Sequence, residues 1–220
     1  MNATNRKRTL ASDAYKIIKE KIIFCEYSPG QLLNLRALTE EIGFKSFTPV
    51  REALVSLRDE DLVKIVPRQG MFVSELSLND VTDNYQIREI IEPTTLGITC
   101  PLIKKETIKY YREKFEEIIK TEDSIDYLEY LKVDMDFHID LIKPLNNNNL
   151  SSILKNIYEQ NTRYRMACFK KRLPEVMILE HIEILDTIEE KDSQKASMVL
   201  KKHIINSRNA LISQKLGLVD

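Results

Sequence analysis

The hydrophobic pattern of this chain changes period once, early, and that single change limits what it can fold into. From Leu10 onward apolar residues recur at helical spacing, first as Leu10, Ala14, Ile17, Ile18 and Ile22. At Leu62 the pattern contracts to two short apolar runs, Leu62-Val63-Lys64-Ile65-Val66 and Met71-Phe72-Val73, around Pro67-Arg68-Gln69-Gly70. That predicts a β-hairpin. Beyond it only helical patterns return, at 78–92, 104–120, 124–143, 148–170, 175–190 and 193–214, with Asn146 to Asn149 as a polar loop. No internal repeat is evident.

Local signals divide the first part. A helix is predicted over 10–26, with Ser12 or Asp13 available as its cap, and Ser28-Pro29-Gly30 breaks it. A short second helix fits Leu35 to Ile42 and stops at Gly43. Thr48-Pro49 starts a third, with proline expected at the first helical position, where its missing N–H costs nothing. This helix carries Val50, Ala53, Leu54 and Leu57 on one face and Arg51, Glu52 and Arg58 elsewhere. Three helices followed by a two-stranded wing make a winged helix-turn-helix over residues 1–76. Ser77-Leu78-Asn79-Asp80 reads as the cap of the next helix and sets the boundary to an all-helical bundle over 77–220. The fold class is therefore mainly α.

Composition excludes other classes. With 220 residues, 43% of them hydrophobic, and only five Gly and seven Pro, the chain is neither disordered nor collagenous. No apolar run approaches the roughly 18 residues of a membrane span. The basic start, Arg6-Lys7-Arg8, has no apolar stretch behind it, so no secretory signal is expected. Cys25, Cys100 and Cys168 form no CxxC pair and are expected as reduced thiols in a cytoplasmic protein. The net charge is −1, yet residues 1–75 hold 12 Lys/Arg against 10 Asp/Glu, and the remainder 21 against 24. The sign places the small positive excess at the N-terminus.

A helix-turn-helix lays its second helix in the DNA major groove, where side chains near that helix's N-terminus meet bases and phosphates. Those positions hold Lys45, Ser46, Thr48 and Arg51, and Arg51 can grip a phosphate bidentately. Arg36 on the preceding helix can clamp the backbone or reach a guanine. The wing tip, Arg68-Gln69-Gly70, suits phosphate or minor-groove contact. Any one of these alone is also what a solvated surface charge looks like.

The strings Gly30-Gln31-Leu32-Leu33, Leu38-Thr39-Glu40-Glu41-Ile42-Gly43, Thr48-Pro49-Val50-Arg51-Glu52-Ala53-Leu54 and Pro67-Arg68-Gln69-Gly70 with Val73 resemble the GntR family of bacterial transcription regulators. The resemblance covers residues 10–75 and implies double-stranded, palindromic operator DNA as partner. One departure stands out. The family runs Gly-Val-Ser-Arg into Thr-Pro, whereas Gly43-Phe44-Lys45-Ser46-Phe47 has one extra residue and puts Phe47 where the family has its base-reading Arg. Lys45 is the candidate to replace that cation.

The chain has three histidines, His138, His181 and His203, on three different predicted helices. Asp134 and His138 are spaced i,i+4 and share one helix face, whereas Asp136 and Asp140 point largely away. One carboxylate and three imidazoles could converge in a bundle core as ligands of Zn²⁺, Ni²⁺, Mn²⁺ or Fe²⁺. By spacing alone, histidines so placed are more often packed core or surface residues than ligands.

Tyr85-Gln86-Ile87-Arg88 with Glu92, Asp134-Met135-Asp136-Phe137-His138, Glu180-His181, Ile184-Leu185, Asp192, Ala196, Met198 and a later His203 resemble the all-helical FCD effector domain of the FadR-type GntR subfamily. Across residues 78–215 the resemblance implies Asp134, His138, His181 and His203 as ligands of a divalent metal. It nominates Arg88 to hold a small carboxylate effector against that metal, unless Arg88 is spent on an i,i+4 pair with Glu92. Arg163 and Arg165 are further candidates, or part of a solvated face beside Lys170, Lys171 and Arg172. The expectation is a homodimeric, effector-responsive DNA-binding regulator that is not an enzyme. The alternative is a metalloenzyme using the Asp/His₃ site with a fused DNA-binding module. Against it, the chain has no H-E-x-x-H glutamate and no phosphate-cradling glycine loop.

Overall fold

The computed structural model describes residues 9–120, 127–168 and 175–215. It divides into two compact units, Met1–Leu76 and Ser77–Asp220. Arg6, Lys7 and Arg8, and likewise Lys170, Lys171 and Arg172, lie outside the described residues.

In the first unit, α1 spans Leu10–Ile23 and buries Ala14, Ile18 and Ile22, leaving Leu10 and Ile17 exposed. Its cap is Thr9, whose hydroxyl accepts from the Ser12 amide, rather than Ser12 or Asp13. The helix ends three residues short of the predicted 26, because Cys25 takes φ 56 and leaves the helical region. Helix α2, Leu35–Glu41, is capped by Asn34 and closed by a Schellman turn at Gly43. There the Gly43 and Phe44 amides donate to the carbonyls of Glu40 and Thr39, and Gly43 adopts φ 76.

Helix α3 spans Phe47–Asp59, with Ser46 as its cap. Pro49 therefore sits at the third helical position and not the first. It is still within the first turn, whose amides have no intrahelical acceptor. The amphipathic reading holds: Val50, Ala53, Leu54 and Leu57 are buried, and they join α1, Leu38, Leu62, Val63 and Val73 in one core.

The hairpin is β2, Val63–Val66, and β3, Gly70–Val73, in antiparallel register with Val66 opposite Gly70. A strand absent from the sequence reading, β1 at Leu32–Leu33, pairs with the other edge of β3 and gives the order β1-β3-β2. Two residues cannot show an alternation, so periodicity carried no signal for it. Gly70 has φ 125, a backbone conformation that other residues rarely adopt, so the turn into β3 favours glycine.

The second unit has no strand among its described residues and is built from helices: α4 Leu78–Thr99, α5 Lys105–Lys120, α6 Tyr127–Ile142, α7 Asn148–Cys168, α8 Glu175–Glu189 and α9 Ser193–Lys215. Ser77 caps α4 through the Asp80 amide, as its sequence suggests. The predicted stop at 92 is wrong, since α4 runs on through Pro93. An interior proline costs about 3 kcal/mol. Here Glu92, Pro93, Thr95, Leu96 and Thr99 are all buried, and that packing outweighs the lost hydrogen bond. Helix α7 opens at Asn148, where the helical pattern over 148–170 puts its start. The polar loop predicted at Asn146 to Asn149 therefore overlaps its first turn, and the Asn147 side chain accepts from the Leu150 amide. Helix α4 packs chiefly on α9 and also meets α6 and α7, while α8 lies between α5 and α9. Among the described residues no helix is long and apolar enough to cross a membrane.

Candidate functional site

In the first unit the exposed face of α3 carries Phe47, Thr48, Arg51, Glu52 and Val55, opposite its buried stripe. The Ser46 hydroxyl accepts from the Thr48 amide at 3.3 Å and keeps its own proton free to donate outward. Lys45, Ser46, Thr48 and Arg51 are all exposed around the start of this helix. Arg36 is also exposed, on α2, with its Nε 2.9 Å from Glu40 Oε1, a surface pair that is readily exchanged for another anion. At the wing tip Arg68 (φ 65) and Gln69 face solvent, and Gly70 is half-buried.

The second unit gathers its candidates in the interior. Asp134 and His138 on α6, His181 on α8 and His203 on α9 are all buried, and one donor atom from each lies within 4.8 Å of the others. Asp134 Oδ1 is 3.0 Å from His181 Nε2 and 4.0 Å from His138 Nε2. Ring centroids of His181 and His203 stand 4.3 Å apart. Phe115 stacks on His181 at 4.6 Å and Phe137 meets it edge-on, so α5 and α6 wall the cluster with apolar rings.

Each of two imidazoles is braced from behind. His138 Nδ1 lies 2.7 Å from Glu92 Oε2, and His203 Nδ1 lies 2.8 Å from Glu180 Oε2. Such outer carboxylates fix the ring and direct its other nitrogen into a metal site. His138 Nε2 and His181 Nδ1 are buried without a hydrogen-bond partner, and His181 Nε2 has only the Asp134 carboxylate at 3.0 Å. Leaving buried polar atoms unpaired costs about 1–3 kcal/mol each. One nitrogen from each of His138, His181 and His203 with one Asp134 carboxylate oxygen is the donor set a borderline divalent ion takes, and the unpartnered nitrogens leave two of those rings unsatisfied without one, so the residues fit a metal.

The electrostatics agree. Burial lowers all three imidazoles from their ordinary value, His181 to about 4 with His203 adding to the effect, so each is neutral and able to ligate at neutral pH. Burial alone would raise the Asp134 carboxyl, but Arg165 beside it and the neighbouring His181 hold it well below the usual range. The Arg165 Nη1 to Asp134 Oδ2 distance is 2.7 Å.

Arg88 is buried on α4. Its Nε donates to Glu92 Oε1 at 2.7 Å, its Nη2 donates to the Tyr158 hydroxyl, and that hydroxyl in turn meets Glu92. The pair with Glu92 is real, but it belongs to a network that continues into His138, unlike an exposed i,i+4 pair worth tenths of a kcal/mol. Arg88 and His138 outweigh burial and hold Glu92 at about 2. Arg163 and Arg165 are buried too, so the solvated-face reading of α7 is wrong at these positions. Asn161, one turn from both Tyr158 and Arg165 on α7, is buried with neither amide atom hydrogen-bonded.

Glu180 and the bracing role of Glu92 escaped the sequence reading. Glu180 is adjacent to His181 on α8 and so projects from a different part of that helix, yet it serves His203 on the next helix and also accepts from Asn206. Asp140 does point away, towards Tyr111 and Lys143. Cys25 is half-buried and Cys100 is buried, and the Cys168 side chain lies outside the described residues.

Comparison with known proteins matches residues 10–73 to "Bacterial regulatory proteins, gntR family" and residues 83–206 to "FCD domain". A regulator in an unstable DNA locus of Streptomyces ambofaciens, described as an HTH-type transcriptional regulator, is 26% identical over 92% of this chain and 85% of its own length. The HTH-type transcriptional repressor RspR of Escherichia coli K12 is 20% identical over 91% of this chain and 88% of its own. The solved structure of E. coli McbR/YncC superimposes with a TM-score of 0.81 at 18% identity, covering 94% of this chain and 99% of that one.

Proposed function

The chain belongs to the gntR family of bacterial regulatory proteins and carries an FCD domain, and from that premise we propose that it is a FadR-type, cytoplasmic transcription regulator whose affinity for a palindromic operator is set by a small carboxylate effector at the Asp134/His138/His181/His203 centre. The observation that carries the reading is the convergence of four buried donors, two of them braced by carboxylates, with His138 Nε2 and His181 Nδ1 buried without a partner. A divalent metal (Zn²⁺, Ni²⁺, Mn²⁺ or Fe²⁺) bound there offers open coordination positions to a carboxylate.

The chain's own residues do the rest. Asp134 and the three histidines hold the ion. Arg88 and Arg165 are each paired with one carboxylate, Glu92 and Asp134, so the net positive charge that favours an anionic ligand comes from the bound ion, with the two guanidinium groups as charge-assisted donors beside it. Asn161 offers an unused amide on the α7 face that also carries Tyr158 and Arg165. An effector changes operator affinity only through a difference in its own affinity for the two arrangements of the protein. A coupling of about 1–3 kcal/mol corresponds to roughly 5–150-fold in operator binding.

The DNA-binding residues in this reading are Arg36, Lys45, Ser46, Thr48, Arg51, Arg68, Gln69 and Gly70, all on α2, α3 or the wing and its approaches. A homodimer is supported by the outward line Ile87, Ile90, Thr94, Ile98 and Leu102 along and just beyond α4, which carries no charge although each residue is exposed. The metalloenzyme reading is disfavoured by the carboxylates nearest the cluster. Glu92 is committed to Arg88, Tyr158 and His138, and Glu180 to His203 and Asn206, so neither is free to move a proton.

The test is a titration of the purified protein against the DNA upstream of its own gene, and against a randomised duplex pool, at about 50 and 200 mM salt. Sequence-selective binding that weakens steeply with salt is expected. Binding that selects no sequence from either source would overturn the regulator reading.

A further inference from the structure

We propose that Phe47 is a base-reading residue, and that it recognises the 5-methyl group of a thymine in each operator half-site by apolar contact in the major groove. The inference rests on the DNA-binding reading of α3 and adds the chemistry that one position of that helix selects.

Phe47 is the first residue of α3 and is 51% exposed. Three residues earlier, Phe44 packs against the core of the unit. The local sequence therefore supplies one phenylalanine to the interior and holds a second outside the core cluster, half-exposed. Its surroundings are polar: Lys45, Ser46, Thr48 and Arg51 are all exposed. Phe47, Arg51 and Val55 follow one another at i,i+4 spacing along the exposed face, with Val55 37% exposed. A cation fit for phosphate thus lies between two apolar side chains, and the aromatic one stands at the end of the helix that meets base edges.

The ring's chemistry fixes what it can read. Phenylalanine has no donor or acceptor, so it cannot distinguish guanine, adenine or cytosine by hydrogen bonding. The only apolar group that a standard base pair presents in the major groove is the thymine C5-methyl. Ser46, Thr48 and Arg51 can hold the helix on the backbone while Phe47 covers that methyl. On the ordinary worth of one buried methyl group, losing it costs about fourfold in affinity per half-site.

The experiment selects bound duplexes from a randomised pool with the wild-type full chain and with Phe47→Ala and Phe47→Leu, then measures affinity for the selected site with thymine replaced by uracil. Uracil keeps the pairing and removes only the methyl. Wild type is expected to enrich thymine at one position of each half-site and to lose about fourfold per half-site with uracil. Phe47→Ala is expected to lose both the enrichment and the uracil effect while keeping its preferences elsewhere, and Phe47→Leu to retain part of both. Thymine enrichment and uracil sensitivity that persist in Phe47→Ala would overturn the inference and leave the regulator reading standing. A wild-type protein that enriches no sequence would overturn both.

Discussion

The two units place their functional groups in opposite environments. In the first, Arg36, Lys45, Thr48, Arg51 and Arg68 are exposed on a small core of Ile18, Ile22, Leu54 and Leu57, and the fold needs none of them. In the second, Asp134, His138, His181, His203, Arg88 and Arg165 are the core, together with Phe115, Phe137 and Tyr158. A surface that meets a large polyanion works by many weak, replaceable contacts whose strength is set by salt. A buried centre works by a few contacts that are strong because water is excluded, and removing one leaves its partners unpaired. Substitutions in the first unit should therefore change binding without stability. In the second they should change both together.

The largest effect is expected at His181. His181→Ala removes one donor and leaves Asp134 Oδ1 with only the Tyr130 hydroxyl, and the loss of metal forfeits about 4 kcal/mol if the ion is present at 1,000 times its dissociation constant. Metal content by mass spectrometry and melting temperature by calorimetry should fall together, the latter by about 8–16 °C. Full occupancy in the purified variant would remove His181 from the ligand set. Glu180→Gln is the finer cut, because it spares all four donors and loosens only the brace on His203. A fall in metal affinity of about 10–100-fold is expected, read by chelator competition. An unchanged affinity would show that the His203–Glu180 pair merely packs.

Acid should act on the same side of the comparison. The folded metal-free protein keeps His181 neutral down to about 4, whereas the unfolded chain protonates it near 6.5. The stabilising difference is therefore complete above about 6.5 and is lost as pH falls from there towards 4. Denaturant titrations of the metal-free protein at pH 7 and pH 5 should show that drop, and His181→Ala should show less of it. The smallest effect belongs to the first unit. Arg51→Ala should leave the melting temperature within about 2 °C while lowering the salt slope of DNA binding by about one unit. A slope equal to wild type would take Arg51 off the phosphates.

The same contrast explains what the sequence could reveal. Signals carried by neighbours along the chain were legible: the change of period at Leu62, the stop at Gly43, the cap at Ser77 and the shared face of Asp134 and His138. The convergence of three histidines was legible mainly through the resemblance to FCD domains, since each sits on a different helix. What depends on how helices rotate against one another was not. Nothing local distinguishes Glu180, which braces a ring 23 residues away, from the solvated Glu190. The burial of Arg163 and Arg165 likewise follows from the packing of α7 and not from its composition. Pro93 reads as a stop by every local rule, and only the contacts of α4 with α9, α6 and α7 carry the helix through it.

The central claim is that the buried centre controls the exposed one, and the most direct measurement is operator affinity as a function of effector. Fluorescence anisotropy of a labelled operator should be recorded with metal-loaded wild-type protein across a panel of small carboxylates, and repeated with His181→Ala. The account predicts that at least one carboxylate shifts wild-type affinity by roughly 5–150-fold and that the shift vanishes in the variant. A shift of equal size in His181→Ala, or no shift with any carboxylate on metal-loaded protein, would contradict it.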